Sequence, residues 1–571
     1  MPFLPISRKE MDSLGWDRAD VIIVSGDAYI DHPAFGHAVI ARVLESEGLR
    51  VAILPQPNWQ DDLRDFKKLG EPRLFFGVTS GCLDSVVSHY TANKRLRSDD
   101  AYTPGGKAGF RPDRAATLYS KILKQLFPST PVILGGIEAS LRRATHYDFM
   151  ESRLMPSILC ESNADLLVYG MGEKPIVEIA RKMQNKENIY DTPQIAYLRG
   201  AEHGTLDMKN SELHSHEDCL SDSSKFLENA KILEQFAINN GNEALCLSQK
   251  IGDKVLAINP PFQQMSEKEI DKSFDLPYER APHPRYKKRG SIPAYEMIKH
   301  SITTHRGCFG GCSFCAIHAH QGKFIASRSE KSILKEAKAI TQMLDFRGNI
   351  SDLGGPSANM YKINGANKNL CSNCKRVSCL FPKICNNLNT NHKVMNELYD
   401  SVLQIEGIKK VFIGSGVRYD MLLHAPNEEL EKENEIYIQN LILRHTSGRL
   451  KLAPEHTESH VLELMRKANF EVYKKFLAIF QKICEKHGLK TQIMPYLMSS
   501  HPGCEVSDMK ALAKKLRDLK IYPEQVQDFT PTPSTLSTAL FYLALKSNRN
   551  APYVATGEKE KLEQKNMFFS M

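Results

Sequence analysis

The chain has 571 residues, a formal net charge of +8, 42% hydrophobic residues and 25% charged residues. That length exceeds one ordinary core and predicts about two to four domains, while the composition is that of a soluble globular protein. The charge gives no specific nucleic-acid signal, no apolar run reaches the roughly 18 residues of a membrane span, and the start MPFLPISRKEMDSLGWD has no secretory pattern, so a cytoplasmic location is expected.

In chain order, ADVIIVSG (19–26) reads as a buried strand and AFGHAVIARVLESEG (34–48) as a helix. RVAILPQ (50–56) and RLFFGVTSG (73–81) read as further strands. A helix around 112–126 follows, then PVILGGIEAS (131–140) and ADLLVYGMGE (164–173) as strands ending in glycines. Strands alternating with helices predict a parallel, doubly wound α/β domain over residues 1–180. Residues 181–290 are more polar and read as a connecting region. It ends in the proline-rich LPYERAPHPRYKKRGSIPAYEM (276–297), expected to be an extended lead-in.

From 291 to 535 the alternation resumes. Strands are predicted at 299–304, 348–353, 410–415, 449–454, 490–498 and 525–531, with helices near 329–345, 392–405, 428–445, 458–487 and 506–520. Ser327 and Glu330 have the spacing of a capping box for the first helix. Six strand–helix units fit a (β/α)6 partial barrel, whose functional residues belong at the C-terminal ends of the strands. Residues 536–571 read as a tail.

Seven of the thirteen cysteines fall between 308 and 385, which favours metal ligation over disulfides. Directly after the first barrel strand, TTHRGCFGGCSFC places Cys308, Cys312 and Cys315 in C-x3-C-x2-C spacing. Three thiolates on a [4Fe-4S] cluster leave one iron open, and the amino and carboxylate groups of S-adenosylmethionine suit that position. A partial zinc knuckle is the competing reading of the spacing. Cys371, Cys374, Cys379 and Cys385, within a predicted insertion at 366–390, form C-x2-C-x4-C-x5-C, enough to close round a structural zinc or a second Fe–S cluster.

The motif, with Phe314 before its last cysteine, resembles that of radical S-adenosylmethionine (radical SAM) enzymes. GDAYIDHPAFG, LPYERAPHPRY, ISDLGGPSANMY, SGVRYD, LAPEHTE, HPG and VQDFTPTPSTLSTALFY resemble, in the same order, stretches of the YgiQ-type branch over residues 2–545. The resemblance implies an enzyme that cleaves S-adenosylmethionine reductively to a 5′-deoxyadenosyl radical. It also implies an electron donor such as flavodoxin or ferredoxin, and it names no substrate and no catalytic residue.

The resemblance further implies cofactor contacts at Gly354 and Gly355, whose carbonyls would face the methionine ammonium, with Pro356 where a glutamate is usual. Ser415, Arg418 and Glu455, with His456, would serve the ribose and carboxylate. His318, His320 and His501 are weaker candidates near the rim. The first domain is similar to cobalamin-binding domains, but DAYIDHPAFG lacks D-x-H-x-x-G spacing, so Asp31 and His32 do not form that motif and cobalamin is disfavoured though left open. Two other readings stand: a methyltransferase or methylthiotransferase acting on RNA or protein, and a non-catalytic Fe–S redox sensor.

Overall fold

The computed structural model describes residues 3–200, 209–238, 245–523, 526–546, 549 and 551–569; Gln525 of the last predicted barrel strand and parts of the region 181–290 and of the tail lie outside them. The chain forms two compact units. One comprises Met1–Gln263, Lys272–Lys299 and Thr532–Ser534, the other Gln264–Asp271, His300–Pro531 and Thr535–Met571.

The first unit is built on a nine-stranded sheet. Its parallel part is β1 (Val21–Ser25), β2 (Val51–Pro55), β3 (Phe75–Thr79), β4 (Val132–Leu134) and β5 (Leu166–Val168), in spatial order β2-β1-β3-β4-β5. Successive residues of β1 serve opposite faces. Ile22 and Val24 pack with Phe76, Val78 and the helix residues Tyr119 and Leu123, whereas Val21 and Ile23 pack with Phe75, Ala38 and Leu44. Burial on both faces explains why these strands are continuous apolar runs rather than alternating ones.

The region expected to connect two domains instead extends this sheet. β6 (Ile195–Arg199), β7 (Lys209–Leu213), β8 (Leu245–Ile251) and β9 (Lys254–Ile258) continue it in the order β5-β6-β9-β8-β7. The pairings β5–β6, β6–β9 and β9–β8 are antiparallel. The proline-rich lead-in belongs to the same unit, where Ala281 and Pro282 pair with Asp31 and Ile30 in a separate two-stranded sheet.

The second unit carries six parallel strand positions in chain order. They are β10 (Ser301–Thr303), the pair β11 (Asn349–Ile350) and β12 (Asp352–Gly354), β13 (Lys410–Val411), β14 (Arg449–Glu455), β15 (Gln492–Ser499) and β16 (Gln527–Asp528). Ile302 aligns with Leu353, Ile350 with Val411, Val417 with Leu452, Arg449 with Gln492 and Met498 with Gln527, all parallel. Helices Glu330–Thr341, Lys393–Leu403, Glu428–Leu443, Phe470–His487 and Val506–Asp518 lie between them. This is the partial (β/α)6 barrel.

Three local expectations change. The helix at 330 is capped by Ser329, whose hydroxyl accepts from the Ser332 N–H, because Ser327 is held in a short strand, Ala326–Ser327, against His305–Arg306. The predicted helix 458–487 is two, Ser459–Met465 and Phe470–His487, broken where Arg466 turns left-handed and Asn469 caps the second. The tail is not featureless, since Leu536–Leu545 and Glu558–Phe569 are helices of the second unit.

Candidate metal and cofactor centre

The loop after β10 gathers the three thiols. Its path depends on glycine at two points. Gly307 is left-handed and a Cβ there would sit 2.0 Å from the Phe324 carbonyl oxygen, and a Cβ on Gly310 would lie 2.9 Å from Arg418 Nη1 and 3.4 Å from Cys308 Sγ. Burial pushes the Cys315 thiol up to about 12, with the neighbouring Cys312 and Cys308 thiols adding to it. Burial likewise raises Cys308, opposed by the Gly310 N–H and by Arg418. The three sulfurs therefore interact with one another, and at Cys308 and Cys315 burial disfavours a thiolate unless a cation accompanies it. Soft sulfur donors of this kind suit iron–sulfur chemistry, and metal binding would displace their protons. Among the described residues, no three His, Cys, Asp or Glu side chains converge as on a single metal ion.

Arg418 is the positive partner. Its Nη1 lies 3.7 Å from Cys312 Sγ, while Nε and Nη2 donate to Asp420 at 2.9 and 2.5 Å. The backbone of Arg418 is fixed by Asn359, whose Oδ1 accepts from the Arg418 N–H and whose Nδ2 donates to the Arg418 carbonyl. The guanidinium face expected for the methionine carboxylate is thus occupied by Asp420, and Nη1 alone is aimed at the cysteine loop.

Gly354 and Gly355 end β12 against that loop. The Gly354 carbonyl accepts from the Thr304 N–H and hydroxyl. A Cβ on Gly355 would meet the His305 ring at 2.5 Å, and that buried ring is itself held through Nδ1 to Thr304 Oγ1 at 2.9 Å. Ser415 donates its hydroxyl to Asp352, which also accepts from the Gly414 and Ser415 N–H groups at 2.9 and 3.2 Å. Burial raises Asp352 while these three donors oppose the rise. Glu455, left-handed at φ 67°, ends β14 with Oε1 3.8 Å from Lys467 Nζ. Burial raises it, with Lys467 and then Arg418 pulling the other way.

The histidines have structural partners. His456 is buried, accepts from the Glu458 N–H and lies 3.5 Å from Cys504 Sγ. His501 Nε2 and Ser313 Oγ each lie 2.8 Å from Ser537 Oγ, and Phe314 meets the His501 ring edge-on. His318 Nδ1 donates to the Cys308 carbonyl at 3.0 Å, and His320 is half-buried on the same short helix. In the first unit, Asp31 is taken by Arg42 in a fully buried ion pair, and His32 is buried with Nδ1 accepting from Ala34. Sequence reasoning missed Asp352, Asp420, Asn359 and His305. The available signals were an acid inside the apolar strand of ISDLGG and an acid two residues after the arginine in VRYD.

Cys371, Cys374, Cys379 and Cys385 face one cavity of about 510 Å3, together with Phe309, Lys323 and Arg376. Burial pushes Cys379 up to about 11; Lys323 lowers it and the other three thiols raise it, so all four are electrostatic neighbours.

The family model described as Radical SAM N-terminal matches residues 3–301. A UPF0313 protein of Bacteroides thetaiotaomicron is 52% identical over 583 aligned residues, covering 99% of this chain and 94% of the relative. A UPF0313 protein of Methanocella arvoryzae is 44% identical, covering 94% and 88%. Among solved structures, the radical S-adenosylmethionine methyltransferase TsrM of Kitasatospora setae aligns with a TM-score of 0.48 at 13% identity, over 96% of this chain and 82% of that one. Matched by the family model over its first 301 residues and by close relatives over nearly its whole length, the chain belongs to UPF0313, the YgiQ-type family of radical SAM proteins.

Proposed function

We propose that this chain is a radical SAM enzyme whose Cys308, Cys312 and Cys315 hold a [4Fe-4S] cluster with one iron open to S-adenosylmethionine. The observation that carries the reading is the placing of three half-buried, electrostatically interacting thiols and the Arg418 guanidinium at the C-terminal end of the first barrel strand. When bound, the cluster supplies one electron to S-adenosylmethionine, giving methionine and a 5′-deoxyadenosyl radical. The chain's own residues set the conditions. Arg418 offsets the thiolate charge, Gly310 and Gly355 keep the floor free of side chains, and Asp352 fixes the Ser415 turn that would meet the nucleoside. Glu455, desolvated beside Lys467, is the second polar group at that rim. An electron donor of the flavodoxin or ferredoxin class would reduce the cluster.

The test is anaerobic. The protein is reconstituted with iron and sulfide, reduced with dithionite and supplied with S-adenosylmethionine, and products are separated by chromatography. 5′-Deoxyadenosine from the intact chain and none from the Cys308/Cys312/Cys315→Ala variant is the expected result. S-Adenosylhomocysteine instead would replace radical cleavage with methyl transfer. Neither product from a cluster-loaded protein would leave a redox sensor.

A further inference from the structure

The four cysteines of the insertion form a second centre that the three-cysteine motif does not use. We infer that Cys371, Cys374, Cys379 and Cys385 are the ligands of an auxiliary [4Fe-4S] cluster, seated in the cavity they line beside the first cysteine loop.

Four observations support it. The first is closure of the loop. Gly365 bridges Leu388, the Ala366 N–H donates to the Asn387 carbonyl and the Asn389 N–H to the Asn364 carbonyl, so all four thiols fall within one pinned loop. The second is size. A single zinc held at about 2.3 Å by four thiolates draws their sulfurs to within about 3.8 Å of one another. Here the four thiols line one cavity of about 510 Å3, far more room than a lone zinc ion needs. A cubane, whose four irons each take one cysteine thiolate, suits a cavity of that size.

The third is charge and hydrogen bonding. Lys323, Arg376 and Lys383 line the cavity, with Lys323 Nζ 3.6 Å from Cys374 Sγ and Asn387 Nδ2 3.2 Å from Cys371 Sγ. Cations and N–H donors to sulfur offset the negative charge of a thiolate-ligated cluster and tune its potential. No side chain intrudes from Gly365, where a Cβ would overlap Cys371 Sγ at 2.2 Å.

The fourth is attachment to the first centre. The Cys379 N–H donates to the Phe309 carbonyl, next in sequence to Cys308, and Ser378 Oγ donates to the Gly310 carbonyl at 2.6 Å. Phe309, Leu380 and Leu388 pack in one apolar cluster against which Cys308, Cys379 and Cys385 are laid. With all four irons ligated by protein, the second cluster has no open position, so it suits one-electron exchange and not cofactor binding.

The experiment measures iron, acid-labile sulfide and zinc per chain in anaerobically reconstituted full-length protein. It compares the intact chain, the Cys308/Cys312/Cys315→Ala variant, and a Cys374→Ser/Cys379→Ser variant whose fold is checked by far-UV circular dichroism. About eight iron and eight sulfide ions are expected in the intact chain and about four in each variant. The dithionite-reduced intact chain should also show an electron paramagnetic resonance spectrum broadened by two interacting clusters. One zinc and no iron in the triple-alanine variant would overturn the assignment, and so would a folded triple-alanine variant free of metal. Because that variant lacks the first motif, failure of the second centre is read separately from failure of the proposed function. A Lys323→Ala variant gives a further readout: the potential of the cluster kept by the triple-alanine background should become more negative, whereas an unchanged potential removes Lys323 from the site.

Discussion

Arg418 allows the strongest test of how the centre is built. Its guanidinium and the Asp420 carboxylate are both buried and joined by two hydrogen bonds of 2.9 and 2.5 Å. Removing one partner strands a charge where water cannot reach it, which costs about 3–5 kcal/mol, whereas replacing both by apolar residues of similar volume costs little or nothing. Arg418→Ala should therefore destabilise the second unit by about 3–5 kcal/mol, and Arg418→Met with Asp420→Leu should recover most of that loss. Urea denaturation of the metal-free protein, followed by far-UV circular dichroism, measures both. Trp16 and Trp59, the two tryptophans, belong to the first unit, so their fluorescence follows that unit by itself. The double variant should nevertheless bind S-adenosylmethionine more weakly than the intact chain, because Nη1 beside Cys312 is gone. A single variant within about 1 kcal/mol of the intact protein would refute the buried-pair argument. A double variant with undiminished cofactor affinity would remove the cation from the site.

Other outcomes follow from the same geometry. Gly355→Ala drives a Cβ into the His305 ring, so stability should fall by about 1–3 kcal/mol on urea denaturation, and cofactor affinity should fall while iron content is kept. Asp352→Ala strands the Gly414 and Ser415 N–H groups, at about 1–3 kcal/mol for each buried group left unsatisfied, and Asp352→Asn should restore much of the loss in the same assay. In the first unit, burial alone would raise Glu10, but hydrogen bonds from His283, the Ile6 N–H and Ser7 hold it at about 2. A depressed carboxylate contributes stability that is present above its ordinary 4.5 and lost as pH falls toward 2. Glu10→Gln should flatten acid unfolding across that window when Trp16 fluorescence is followed.

The barrel was readable because strand-like segments ended by turns alternate with helical patterns along it, and the cysteine motif because three thiols at fixed spacing have few uses. The first sheet was readable up to Val168 for the same reason. Its extension was not: Ile195–Arg199 pairs with Lys254–Ile258 across a long interval of sequence that no local pattern connects. Ser327 satisfied a capping pattern in sequence and lost it to strand pairing with His305, a tertiary contact no spacing reveals. Arg418 was recognisable as a rim cation, but its orientation depends on Asp420 and Asn359, which carry no signature of their own.

The contacts of Ser313 bear on what can be cut away. Its N–H donates to the Met465 carbonyl, its hydroxyl to the Leu464 carbonyl, and its oxygen meets Ser537 at the start of the helix Leu536–Leu545. The middle of the cysteine motif is thus braced by segments about 150 and 220 residues later in the chain. A fragment carrying residues 300–530 would keep every thiol of both centres and lose part of the brace. The motif is therefore no portable cassette, and domain trimming or grafting that stops at the last barrel strand would deliver the ligands without their splint.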